Sequence, residues 1–163
     1  MAEVLEAVFI EEDTQKGKFL TFSISKENYG IDISCVREII GVQAITEVPE
    51  LPDFIKGIIN LRGQIIPVMD IRLRFRKEYK EYNERTCIIV VDIKDMSIGL
   101  IVDTVEEVLS ITDDNIVPPP QINKEIHNNY ITAIGKVGSA VTLIINCDKL
   151  LNDEEVESLN NSL

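Results

Sequence analysis

Histidine occurs once, as His127 in the polar stretch "NKEIHNNY". A histidine-based zinc set therefore has no second member, and no cysteine pair lies near it. His127 reads as a surface residue. Cys35, Cys87 and Cys147 are far apart, contain no Cys-x-x-Cys, and are odd in number, which fits no complete disulfide framework. Each has apolar neighbours, so all three read as small hydrophobes with structural roles. Long apolar runs are missing, and none approaches the roughly 20 residues of a membrane span. Basic charge is scarce: 16 Lys and Arg face 28 Asp and Glu, for a net charge of −12. Such a surface repels a nucleic-acid backbone. The leading stretch "MAEVLEAVFIEEDTQKGK" is too acidic for a signal or transit peptide, so the expected location is cytoplasmic, with no direct membrane insertion. Catalytic signatures are missing too, with neither a Gly-x-x-x-x-Gly-Lys loop nor a Gly-x-Ser-x-Gly elbow. Asp70, Asp92 and Asp103 fall near strand ends, but their spacing specifies no acid–base pair. The expectation is a non-enzyme without metal or cofactor.

What is present is a folded chain. Hydrophobic residues make up 45% and charged residues 27% of 163, which suits one domain or two small subdomains. The few basic residues are clustered, with Arg62, Arg72, Arg74, Arg76, Lys77, Lys80 and Arg85 in one stretch. A positive patch on an acidic protein steers an acidic protein partner. A solvated loop is the competing reading for all of these but Arg62.

Strand patterns dominate. "KFLTFSIS" (18–25) alternates, with Leu20, Phe22 and Ile24 on one face, and "KEN" turns it into "YGIDI" (29–33). "SCVREIIG" (34–41) reads as one short helical turn capped by Ser34 and ended by Gly41. "QAITEVPELPD" (43–53) reads as an edge strand and then a loop. "FIKGIINL" and "QIIPVMDI" flank Arg62-Gly63, where glycine permits a tight turn. Pro67 demotes the second of these to an edge or a bulge. "TCIIVVDI" (86–93) is apolar enough for a fully buried strand, followed by "SIGLIVD" and "VEEVLSI". "YITAIGKV" and "SAVTLIIN" form a hairpin across Gly138-Ser139, and the tail "CDKLLNDEEVESLNNSL" is helical in pattern, with Asp148 as its cap.

The chain also repeats itself. A shift of 69 residues places Gly30 on Gly99, Val36 on Val105, Glu38 on Glu107, Ile39 on Val108 and Pro49 on Pro118; a later shift of 75 places Gly63 on Gly138, Ile66 on Val141 and Phe75 on Leu150. Agreement of glycines, prolines and apolar positions implies a duplicated β-unit. Each copy, at about 70 residues, is marginal alone and should pack on the other, leaving a seam. Arg62, displayed by two apolar strands at a hairpin tip, is the leading binding candidate, because guanidinium engages carboxylates and carbonyls bidentately and is enriched at interface hot spots. An ordinary soluble turn residue is the competing reading.

The stretches "YGIDISCVREII", "FIKGIINLRGQIIPVMDIRLRF", "GLIVDTVEEVLSI" and "ITAIGKVGSAVTLIINCDKLL" together resemble CheW, the bacterial chemotaxis coupling family, over residues 18 to 151. The resemblance implies an all-β fold of two tandem five-stranded SH3-like barrels with short helices and a C-terminal helix. The expected organisation is a flexible tail (1–17), a domain at 18–151 made of barrels at about 18–85 and 86–151, and a helical tail at 152–163. The implied function is a non-enzymatic adaptor joining the cytoplasmic hairpin tips of chemoreceptors to the histidine kinase CheA, through the kinase's own CheW-like regulatory domain, in arrays at the inner face of the membrane. A related coupling role in another pathway, such as pilus motility, is the alternative within the same class; a small β-barrel enzyme or ligand carrier is the alternative outside it. Carried over by position, the receptor groove lies at the seam and is lined by Val36, Glu38, Ile39, Gly57, Arg62, Cys87 and Ile88. The kinase contact is carried over to Gly99, Leu100, Ile101 and Val102, with a separate ring contact at Val117 and Ile122.

Overall fold

The computed structural model describes residues 16–119 and 129–163. Strands β1 (Lys18–Ile24) and β2 (Glu27–Asp32) form a hairpin across Ser25-Lys26, both at positive φ, as a two-residue turn between right-twisted strands requires. A 3-10 turn (Ile33–Cys35) leads into β3 (Val36–Gly41). Strands β4 (Ile55–Leu61) and β5 (Gln64–Asp70) form the next hairpin and run into one helical turn, α1 (Ile71–Arg74). Then come β6 (Cys87–Ile93), β7 (Met96–Val102), β8 (Thr104–Ser110) and a two-residue β9 (Ile116–Val117). The last hairpin is β10 (Ile131–Val137) with β11 (Ala140–Ile145); a 3-10 turn (Cys147–Leu150) and helix α2 (Asp153–Ser162) follow.

The mainly-β class with two units is as the resemblance implied. The strands form two sheets, ordered β8-β1-β2-β11-β10-β9 and β3-β6-β7-β5-β4. Each sheet draws strands from both halves of the chain, so a boundary between residues 85 and 86 separates neither sheet from the other. The first hairpin of each half joins the last strands of the opposite half. The repeat is visible in this exchange. The 69-residue shift carries Lys18 onto Cys87 and Glu27 onto Met96, the opening residues of equivalent strands, and the later shift carries Gly63 onto Gly138, each at positive φ in its hairpin turn. Gly30 and Gly99 also match, each on a strand paired in parallel with the last strand of the other half. A Cβ at Gly99 would lie 2.7 Å from Ile88 Cγ2, and one at Gly30 would lie 3.2 Å from Thr142 Cγ2.

Alternation along the strands makes three cores. Ile88 and Val90 face a small cluster with Ile59, Ile66, Val68 and Ile101, inside the five-stranded unit. Their neighbours Ile89, Val91 and Ile93 face the other way, into a large cluster shared with Leu20, Phe22, Ile24 and Ile31 of the six-stranded sheet. Phe19, Ile111 and Ile144 form the third cluster, inside that second unit. The seam is therefore the main core, filled by the protein's own side chains and not open as a groove. Leu159 of α2 is buried in it, so the C-terminal helix is part of the packed body.

Several local expectations are corrected. Residues 36–41 are a strand, because pairing with β6 outweighs the weak local helix signal; the turn before it is capped by Asp32, not Ser34. Pro67 lies on an interior strand, tolerated because β7 pairs with β5 only from Val68 onward. Residues 43–53 form no strand, only a bridge between Thr46 and Ile58. The cap of α2 is Asn152, in a capping box with Glu155, and Asn146 caps the preceding turn; Asp148 caps neither. Residues 1–15, most of the expected tail, lie outside the described residues, as do Ile122 and His127. Gly17 is already tied in, its carbonyl accepting from Ile111 N–H at 2.8 Å.

One ion pair ties the end of β7 to the turn after β5. Arg72 donates to Asp103 from Nε at 2.7 Å and from Nη2 at 2.5 Å, and the Ser25 N–H donates to the same carboxylate at 2.9 Å. Burial pushes the Asp103 carboxyl up, but the Arg72 and Ser25 hydrogen bonds and the Arg72 and Lys80 charges outweigh it and hold it below its ordinary 3.8. A depressed carboxylate contributes stability that is present above its unfolded value and lost as pH falls through the lower folded value. Asp103→Asn is expected to cost about 2–3 kcal/mol at pH 7 by stranding Arg72. It should also flatten the stability loss below pH ~4, checked by urea titrations across that range. A pH profile unchanged from the parent would refute the assignment.

Candidate functional site

The β4–β5 hairpin closes on Arg62-Gly63, with φ of +51° and +87°. Two positive φ values define a type I′ turn, and glycine supplies the second without strain. The Gly63 N–H donates to Asn60 Oδ1 at 2.8 Å, which fixes the loop. Arg62 is thereby held at the tip, its side chain 71% exposed, and Nη2 reaches across to Glu38 Oε1 on β3.

Glu38 reaches that position because β3 carries a bulge. Val36 pairs with Val91 but Glu38 pairs with Val90, leaving Arg37 as the extra residue. Without it, Glu38 would share the buried face of Val36. With it, Val36 and Ile39 turn to the seam core, while Glu38 takes the side of Ile40, which packs on the small cluster. Arg37 donates to Ser97 Oγ at 2.9 Å and lies 3.5 Å from Asp92 Oδ1. An open pocket of about 400 Å³ lies between these groups, with Leu61, Ile66 and Val90 as apolar wall and Arg37, Glu38, Arg62, Gln64 and Ser97 as polar lining. Ile65, half exposed on the same hairpin, alternates to the opposite face and does not line the pocket. The arrangement suits a partner with an apolar ridge and a flanking polar acceptor or donor.

Of the seven residues expected at a receptor groove, the structure brings together Glu38 and Arg62. Val36 and Ile88 are core, at 2% and 0% exposure, and offer no side chain to a partner. Ile39 is half-buried against the seam. Cys87 is half-buried at the far end of the β3–β6 ladder, opposite Gly41. Gly57 sits under Thr46 on β4 and serves backbone packing. The pocket opens at the mouth of the five-stranded unit rather than at the seam. Arg37, Gln64 and Ser97 were not anticipated; the one sequence signal was the three-residue spacing of Val36 and Ile39, which a bulge explains.

The residues expected at the kinase contact lie in two different settings. Leu100, Ile101 and Val102 are buried on β7, whose two edges already pair with β6 and β5, and Gly99 packs against Val68 and Ile88. From Gly99 to Ile101 the strand is paired on both sides and buried, whereas Ser97, nearer its start, lines the pocket. Val117, by contrast, is half-buried on β9, the outermost strand of the six-stranded sheet among the described residues. Among the described residues, no cluster of His, Cys, Asp or Glu is placed to hold a metal, and no helix is long and apolar enough to cross a membrane.

Fold and site together define a mainly-β, two-unit protein with an open, polar-rimmed pocket at a strand mouth. The family model described as "CheW-like domain" matches residues 18–155, and the chain belongs to that family. It is 38% identical to "Chemotaxis protein CheW" of Klebsiella aerogenes over 149 residues, 91% of this chain and 90% of the relative. It is 30% identical to the Treponema pallidum protein of the same name over 148 residues, 88% of this chain and 87% of that one. Among solved structures, the scaffolding protein TtCheW from Thermoanaerobacter tengcongensis superposes with a TM-score of 0.78 at 39% identity, covering 85% of this chain and 94% of that one.

Proposed function

We propose that this chain is a chemotaxis adaptor that couples chemoreceptors to the histidine kinase CheA, working without catalysis and recruited to receptor arrays at the inner face of the membrane. The observation that carries the site assignment is the Arg62–Glu38 pair across the open pocket. Strand β3 fixes Glu38 and the type I′ turn fixes Arg62, whose side chain stays in solvent. An amphipathic receptor helix would lay apolar residues against Leu61 at the pocket wall, and its polar flank would exchange hydrogen bonds with Arg62 and Glu38. For the kinase, the β9 edge at Val117, outermost among the described residues, suits addition of a strand or a short apolar contact from the CheW-like regulatory domain.

The test is capture of a receptor cytoplasmic hairpin and of the CheA regulatory domain by the full chain. Arg62→Asp is expected to melt within about 2 °C of the parent, because an exposed ion pair contributes only about 0.2–1 kcal/mol. Its affinity for the receptor hairpin should fall by about 10–100-fold, the worth of charge-assisted hydrogen bonds. Capture of the kinase domain should be unaltered. Unchanged receptor affinity removes Arg62 from the site, and no capture of either partner by the parent removes the adaptor reading.

A further inference from the structure

Two thiols that are remote in sequence meet at one end of the six-stranded sheet. Strands β2 and β11 run parallel, with Ile31 opposite Ile145, so both chains leave the sheet on the same side. Each then enters a 3-10 turn whose first bonds are organised by an Asx cap, Asp32 to the Ser34 N–H and Asn146 to the Asp148 N–H. The turns carry Cys35 and Cys147 side by side, with Sγ to Sγ at 3.3 Å and both thiols free. An open pocket of about 300 Å³, with Phe19, Thr132 and Ile144 among its walls, leads to both sulfurs.

We infer that Cys35 and Cys147 form a redox modification site, which a low-molecular-weight disulfide converts into an intramolecular disulfide joining the two halves of the chain. The adaptor reading is not needed for this inference. Bonding distance between sulfurs is about 2.05 Å, so closure needs an approach of only ~1.3 Å by two turns already in contact.

The order of reaction follows from environment. Cys35 is only partly buried, whereas Cys147 is buried at 4% exposure. The hydrogen bond shared with Cys35, burial, the Cys35 charge and the nearby carboxylates of Asp148 and Asp32 push the Cys147 thiol well above its ordinary value. Cys35 is therefore the attacking thiol. As thiolate it attacks one sulfur of the small disulfide, forming a mixed disulfide and releasing one small thiolate. Cys147, as thiolate, then attacks Cys35 Sγ and expels the second. Two protein thiols are oxidised and one small disulfide is reduced to two thiols, which take up the two protons. Cys87 lies on β6, with its thiol directed to the Arg85 carbonyl at 3.4 Å, and has no such partner among the described cysteines.

The experiment incubates the full chain with oxidised glutathione and reads intact mass and non-reduced peptide maps. The expected product has lost two hydrogens, carries no adduct at Cys35 or Cys147, and yields one peptide linking them; Cys87 stays open to alkylation when the chain is unfolded. Cys147→Ser should stop at a stable glutathione adduct on Cys35, and Cys35→Ser should leave Cys147 reduced. If the parent chain accumulates the Cys35 adduct, links Cys87 or a second chain, or consumes no thiol, the inference is wrong.

Discussion

Gly57→Ala is expected to lower the melting temperature by about 10–15 °C. Gly57 lies on β4 at φ +148°, beside the bulge that offsets Ile55 from Gly57 in the pairing with β5. Side-chain-bearing residues rarely adopt that backbone, at a cost of about 1–3 kcal/mol. The second contribution is steric. Thr46 and Ile58 exchange two backbone hydrogen bonds of 2.9 Å, which draw the Thr46 carbonyl over Gly57. A Cβ there would sit 2.1 Å from Thr46 O and 2.9 Å from Ile45 Cγ2. Backbone on one side and a packed isoleucine on the other leave nothing flexible to yield. The crossing segment must lift, and Ile45 leaves the small cluster it helps cover. Strain and lost packing together come to about 4 kcal/mol, in the range reserved for core disruption. Thermal unfolding followed by circular dichroism measures it, and a shift of about 2 °C or less would mean that the crossing segment is not held as described.

Arg74→Ala should cost about 2–3 kcal/mol, by stranding a half-buried carboxylate. The Arg74 side chain is 14% exposed and its bonds are all specific. Nε donates to the Leu150 carbonyl at 2.8 Å, and the two terminal nitrogens donate to Glu155 at 3.1 and 2.9 Å. The guanidinium also lies over the rings of Phe54 and Tyr130, at 4.2 and 5.0 Å from their centres. Glu155 is the third residue of α2 and completes its capping box with Asn152, so Arg74 holds the helix through its own cap. Losing Arg74 frees that carboxylate and releases Leu159 from the seam. Hydrogen-exchange mass spectrometry should show protection of α2 falling about 100-fold. Arg74→Lys, which keeps the charge but not the planar fork, should recover part of it. Unaltered exchange in α2 would show that the helix is held by apolar packing alone.

The strands were legible in the sequence because their pattern is local. Alternation at 18–25 and the apolar run at 86–93 have no helical interpretation, and positive-φ hairpin turns advertise themselves through Gly63 and Gly138. The repeat was legible because glycine and proline resist drift in aligned copies. What escaped depends on contacts between distant residues. Residues 36–41 are a strand only because β6, fifty positions later, pairs with them, and the bulge at Arg37 that aims Glu38 leaves only a shifted apolar spacing. Pro67 misleads until the short reach of β7 along β5 is known. The seam looked like the place for a groove when each half was imagined as its own barrel; once hairpins are exchanged, the seam becomes the largest core and the opening moves to a strand mouth. Cys35 and Cys147 meet only because two strands from opposite halves run parallel.

The exchange of hairpins between halves has a mechanical corollary. A protease cut in the connector after α1 would yield two fragments, each contributing strands to both sheets, with no barrel left complete in either. The fragments would remain interlocked after cleavage, and pulling them apart would require dismantling both sheets at once.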